Sequence, residues 1–219
     1  MPVREQFEIN LKELQDKLIQ LGNFTKAALI KALDALENQD VEKALEIMDE
    51  DVKADLLEDE INDTAILLIA KQQPVAIDLR RIIVAIKIAS DLERMADFAV
   101  NLAKSTIRIG NQPLVKPIDS IKKMHESTIK MIELAMEGYS EEDLVKAKEL
   151  ADLDDVVDDL YGSTIQDLLS LMQTQPENHA QITQLSFVCR YLERTADHAT
   201  NIAEYIFYLV KGRRYDLNQ

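Results

Sequence analysis

Apolar or small residues recur every three or four positions from Phe7 through Leu11, Leu14, Leu18, Leu21, Thr25, Ala28 and Ala32 to Leu36. A strand would need alternation at every second residue, so only a helix gathers these positions onto one stripe. At 1.5 Å rise per residue the stripe runs along a single helix of about 30 residues. A helix with one apolar stripe must bury it against other elements, and the rest of the chain repeats the same spacing. Only five Gly and five Pro occur in 219 residues, and aromatics make up 5%. That is too little turn chemistry and too few β-formers for an all-β fold. With 47% apolar and 30% charged residues, the chain has the composition of a folded domain.

Punctuation divides the chain into six helices. Asn38-Gln39-Asp40 interrupts the first stripe, and Asp40 is a suitable N-cap for a second helix from Val41 to about Lys71. Pro74 ends that helix and can open a third, which runs to about Ile109. Gly110-Asn111-Gln112-Pro113 is the strongest stop. A fourth helix is expected from Pro117 to Glu137, stopped at Gly138-Tyr139-Ser140, with Ser140 and Asp143 resembling a capping box for the fifth. The fifth reaches about Gln173, Pro176 breaks it, and the sixth ends at Lys211 before Gly212. Short connections favour antiparallel neighbours. The expected fold is therefore all-α: two tandem up-down three-helix bundles, residues 1–111 and 112–219.

An internal repeat supports this division. Leu92–Ala103 (LERMADFAVNLA) aligns with Leu192–Ala203 (LERTADHATNIA), identical at eight of twelve positions. Ordinary residue usage gives fewer than one match in such a window. A weaker match pairs Asp51–Leu57 with Asp154–Leu160 on the second helix of each half. Packing accounts for the retained Leu92, Ala96, Ala99 and Ala103, but not for Glu93, Arg94, Asp97 and Asn101.

Those polar positions carry the candidate chemistry. Glu93 and Asp97 share one helix face, as do Glu193 and Asp197, Asp51 and Asp55, and Asp154 and Asp158. Asn101 and Asn201 continue the face. If the second and third helices of each half meet, four carboxylates converge in each bundle. Like charges so placed repel, and a multivalent cation would offset the cost. All-oxygen ligands suit hard ions such as Mg²⁺, Mn²⁺, Ca²⁺ and iron. The plainer alternative is a solvated acidic face, since usage alone produces about seven acidic i,i+4 pairs in a chain with 40 acids. Arg94 and Arg194 can pair with Asp97 and Asp197, a structural rival to the metal. Asp78 and Arg80 read as dipole complement and surface charge. His198 is either an extra ligand in the second half or a partly buried spacer. Cys189 and the methionines fall at core spacing.

A formal charge of −15 disfavours nucleic acid and anionic lipid as partners. The first residues, MPVREQFEINLKEL, lack the apolar stretch of a signal peptide, and no apolar run approaches a membrane-spanning length. These features, with a single Cys, lead to the expectation of a cytoplasmic protein. No phosphate-binding glycine loop, Gly-x-Ser-x-Gly elbow or His-Glu-x-x-His motif is present. Three classes stay open: a non-enzymatic adaptor, a metal-dependent bundle enzyme such as a phosphohydrolase, and a purely structural helical bundle.

The chain resembles the PhoU family of bacterial phosphate-uptake regulators. The resemblance rests on Gln72-Gln73-Pro74 with Asp78-Leu79-Arg80, and on Lys87-Ile88 leading to Asp91-Leu92-Glu93-Arg94 and Asp97. In the second half it rests on Val157-Asp158-Asp159-Leu160-Tyr161 and on Tyr191-Leu192-Glu193-Arg194 with Asp197. It implies two three-helix bundles related by a pseudo-twofold, whose Glu/Asp-x-x-x-Asp motifs bind multinuclear metal clusters of iron or zinc. Carried over, the ligands are Asp51, Asp55, Glu93 and Asp97, then Asp154, Asp158, Glu193 and Asp197. It further implies a regulator that restrains the phosphate-specific ABC transporter and the phosphate-starvation two-component system, through the transporter ATPase subunit and the sensor histidine kinase. Long helices with an apolar seam make a homodimer plausible on their own account, while the acidic surface opposes tight self-association. One departure is Asn62, where the family often has an acid.

Overall fold

Asp40 begins the second helical segment as expected, its side chain accepting the Lys43 amide at 2.9 Å while Gln39 turns the chain in the left-handed region. In the computed structural model, which describes residues 3–215 and 217, the helices are α1 (Val3–Asn38), α2 (Val41–Glu50), α3 (Val52–Gln72), α4 (Ala76–Ile109), α5 (Asp119–Glu141), α6 (Leu144–Thr174) and α7 (His179–Lys211), with a 3₁₀ turn at Pro176–Asn178 before α7. The outer ends of the two expected segments, residues 1 and 219, lie outside the described residues. Helices α1 to α4 pack together, as do α5 to α7. The fold is the all-α pair of tandem bundles that the sequence predicts.

Three boundaries differ from expectation. The second helix is split at Asp51, where the Ala54 amide reaches back only three residues, to the Asp51 carbonyl at 2.9 Å. Gly138 does not stop α5. It is buried against Ile206 and the following loop, and the helix runs on to Glu141 before Glu142 turns left-handed. The α6 cap is therefore Asp143 alone, bonding the Val145 amide at 2.7 Å, with Ser140 in the last turn of α5.

One apolar core runs through both bundles. The widest helix–helix interface joins α4 to α7 across the bundles. Small residues allow that approach: Ala96, Ala99 and Ala103 on α4, and Ala196, Ala199 and Ala203 on α7, are all buried. Contacts rise along α4 as they fall along α7: Lys87 over Tyr205, Asp91 on His198 and Asn201, Phe98 on Tyr191. The helices are thus antiparallel. The repeat offset of 100 residues (Leu92 to Leu192) converts the pair Phe98–Tyr191 into the pair His198–Asp91. That exchange is the mark of a pseudo-twofold axis through the seam.

The connection between bundles is clamped from both sides. Gln39 donates to the Gly110 carbonyl at 3.2 Å. Buried Gln181 accepts the Val115 amide at 2.6 Å and donates to the Pro113 carbonyl at 3.2 Å. On the α1–α5 side, His125 Nε2 meets the Leu29 carbonyl at 3.1 Å, and burial lowers its pKa.

Asp78 and Arg80 are not surface charges. Asp78 is 1% exposed and holds Arg4 at 2.6 Å and Arg81 at 3.4 Å, because the start of α4 is covered by α1 and by the end of α5, where Glu142 takes Arg81 at 2.7 Å. Arg80 lies against Gly212, the left-handed C-cap of α7 at φ +71°. A Cβ there would strike the guanidinium and strain the backbone. Gly212→Ala is expected to lower stability by about 1–2 kcal/mol, read as an earlier midpoint in urea unfolding. An unchanged midpoint would show that neither the contact with Arg80 nor the left-handed backbone costs stability.

Candidate metal centre

The eight predicted acids form two groups, one per bundle. In the first, Asp51 stands at the α2–α3 break and Asp55 one turn along α3, facing Glu93 and Asp97 on α4. Burial raises the pKa of Asp51, and the charges of Asp97 and Asp55 add to the rise, while Lys104 opposes it. Glu93 is raised by burial and then by Asp97 and Asp55. Asp51 and Glu93 thus each feel a carboxylate from the opposite helix.

The second group repeats the plan on α6 and α7 and is deeper. Asp154 is 8% exposed, and burial, followed by the charges of Asp158 and Asp197, pushes its pKa to about 6. The nearby Thr200 hydroxyl pulls the other way. Asp158 is raised by burial and Asp197, and Glu193 by burial and Asp197 against Arg190. Asp154 Oδ1 and Glu193 Oε2 are buried without a hydrogen-bond partner. An unpaired carboxylate oxygen out of water is costly, and a cation is what such an oxygen can accept.

Among the described residues, no three or more His, Cys, Asp or Glu side chains are placed so that they could hold a metal ion together. The donor set nevertheless fits hard cations: eight carboxylates, on paired helices, mutually repelling, with two orphaned oxygens.

The arginines separate the halves. Arg94 bridges Asp97 at 3.1 Å and Glu93 at 3.5 Å, as the structural rival anticipated. Arg194 does not repeat this; its guanidinium lies 5.0 Å from the Phe98 ring centroid. Arg190 takes Glu193 Oε1 instead, leaving Oε2 free. Sequence reasoning passed over Arg190, although it stands three residues before Glu193 on the same face. It also passed over Lys104, seven residues after Asp97.

His198 belongs to the seam and not to the carboxylate group. Its Nδ1 is 2.6 Å from Asp91 Oδ1, and its ring is 5.7 Å from Phe98. Asn201 donates to the same Asp91 at 3.3 Å. Each step of four residues turns a helix by about 40° past a full turn, so Asn201 has rotated roughly 80° from Glu193, away from the acids. Cys189 is buried in the core, and burial pushes its thiol to about 12, far from a nucleophile. Asn62, two turns along α3 from Asp55, stands roughly 10 Å beyond the first cluster.

The fold and the paired clusters define a class: a two-bundle helical protein with a carboxylate-rich face on each bundle. The family model described as the PhoU domain matches residues 18–106 and 121–206, once per bundle. The chain belongs to the PhoU family. A phosphate-specific transport system accessory protein PhoU homolog from Clostridium acetobutylicum is 38% identical over 98% of this chain and 99% of its own. The homolog from Aquifex aeolicus is 39% identical over 92% and 91%. The crystal structure of PhoU from Pseudomonas aeruginosa superposes with a TM-score of 0.90 at 28% identity, covering 94% of this chain and all of its own. That of the phosphate transport system regulatory protein PhoU from Streptococcus pneumoniae also gives 0.90, at 29% identity over 96% and 99%. Among the described residues no helix is long and apolar enough to cross a membrane.

Proposed function

We propose that this chain is a non-enzymatic accessory regulator of phosphate-specific transport, working in the cytoplasm. Family membership over nearly the whole length carries this reading, because the relatives at 38% and 39% identity bear that role in their names. We infer further that it restrains the transporter through its ATPase subunit, and the phosphate-starvation response through the sensor histidine kinase. The charge of −15 leaves no broad basic surface for phosphate itself. Asp51, Asp55, Glu93 and Asp97 would hold one metal group, and Asp154, Asp158, Glu193 and Asp197 the other, with iron, zinc, magnesium or manganese as candidates. Bound metal would supply local positive charge and open positions for a phosphate oxygen or an acidic partner segment. The chain's own contribution is to keep the carboxylates fixed on paired helices while the seam joins the two faces.

The test is elemental analysis of untagged protein purified without chelator, beside a variant with Glu93, Asp97, Glu193 and Asp197 all changed to Ala. The expected result is several metal ions per chain in the parent and few in the variant, with helicity retained. Loss of phosphate repression in cells carrying only the variant would connect the metal to regulation. Equal and negligible metal in both proteins would reduce the acids to packing and ion-pair residues.

A further inference from the structure

We propose that the two carboxylate clusters differ in cation affinity, the second bundle's cluster filling first, and that Arg94 is the residue that holds the first cluster back. The inference rests on the metal reading of the clusters and deepens it.

Three differences, each at positions the repeat makes equivalent, point the same way. The first is the resident cation. Arg94 spans Glu93 and Asp97 with its own charge and must leave before a metal can use both oxygens. Its counterpart Arg194 on α7 is parked over Phe98 on α4, whereas the residue on α7 equivalent to Phe98 is His198, so Arg94 has no matching phenylalanine. Arg190 occupies one oxygen of Glu193 and does not reach across to a second acid.

The second difference is the buried demand for a cation. Asp154, 8% exposed, keeps Oδ1 without a partner beside Asp158 and Asp197. Glu193 likewise keeps Oε2. No carboxylate of the first cluster has such an orphaned oxygen, and Glu93 is more exposed than Glu193, 20% against 12% for the side chains.

The third difference is rigidity. Asp154 sits inside the unbroken α6, whereas Asp51 sits at the interruption between α2 and α3. Asp51 also lines a cavity of about 280 Å³ that it shares with Lys31 and Lys53. Ligands on a continuous helix lose less freedom on binding than a ligand at a joint.

Removing Arg94 is safe for the fold, because its side chain is 60% exposed. Metal-free protein titrated with Mn²⁺, with the free ion followed by electron paramagnetic resonance, should show two affinity classes. Asp154→Asn with Glu193→Gln should remove the tighter class, and Glu93→Gln with Asp97→Asn the weaker. Arg94→Gln should strengthen the weaker class roughly tenfold, the scale of two exposed ion pairs no longer in competition, and leave the tighter class unmoved. A single class, a tight class that maps to Glu93 and Asp97, or a weak class indifferent to Arg94→Gln would overturn the inference while the metal reading stands. No Mn²⁺ bound, together with no iron or zinc in the protein purified without chelator, would overturn both.

Discussion

Metal-free protein carrying Asp154→Asn should unfold at a higher temperature than the metal-free parent, and at a lower one when both are saturated with metal. In the metal-free parent the Asp154 carboxylate is out of water beside Asp158 and Asp197. Its pKa stands at about 6 against 3.8 for the free side chain, so the folded state holds the proton that the unfolded chain releases. The penalty is absent below pH 3.8, grows between 3.8 and 6, and is complete above 6. Neutral Asn avoids it. After allowance for solvent screening the gain is about 1–2 kcal/mol at pH 7, or roughly 2–8 °C for a chain of this size. The parent itself should gain about 1 kcal/mol from Asp154 between pH 7 and pH 5, a contribution that Asn removes. With metal at about a thousand times its dissociation constant, binding adds about 4 kcal/mol to the parent and far less to a variant short of a ligand. Thermal scans with chelator and with Mn²⁺ test both signs. The same order of melting in both conditions would mean that Asp154 does not face a metal.

That crossover depends on features visible at different depths. The helices, the cap at Asp40 and the stop at Gly212 follow from local chemistry, because spacing, capping residues and left-handed positions act within one turn. The repeat placed Glu93, Asp97, Glu193 and Asp197 on equivalent faces, since packing and charge both recur at helical spacing. What local chemistry does not carry is the partner across a seam. From sequence Asp78 reads as a dipole complement and surface charge, because nothing near it in the chain supplies Arg4, 74 residues away. Arg94 and Arg194 stand in identical local settings, Leu-Glu-Arg-x-x-Asp, yet one bridges acids and the other leaves them. What differs is the residue at position 98 of the repeat: Arg194 lies over Phe98 on α4, and the residue equivalent to Phe98 on α7 is His198. The split at Asp51 was hidden for the same reason: no Gly or Pro marks it, and the pattern runs through. Gly138 misled in the opposite direction, because the close packing of Ile206 and the α6 entry favours a helical glycine over a stop.

Residue 98 is accordingly where a packing change should become a change in metal affinity. Phe98 is buried at the seam, stacked on Tyr191 with centroids 6.2 Å apart, 5.7 Å from His198, and under the Arg194 guanidinium. Phe98→Leu keeps an apolar side chain but removes the aromatic face. The lost stacking and cation–π contact, with the smaller volume, should cost about 1–3 kcal/mol. Arg194 then has no platform. It stands one residue after Glu193 and three before Asp197, the same offsets at which Arg94 already bridges its own pair. Freed, it should turn to Glu193 and Asp197 and compete for the tight cluster, lowering Mn²⁺ affinity there by roughly tenfold. The double variant Phe98→Leu with Arg194→Gln separates the effects: affinity returns to the parent's value, while the melting temperature stays low. If affinity falls in the single variant and does not return in the double, the seam geometry shapes the site and the arginine does not. If affinity never falls, Arg194 is kept from the acids by something other than the ring, and the difference between the clusters must come from Arg94, the orphaned oxygens of Asp154 and Glu193, and the Asp51 break.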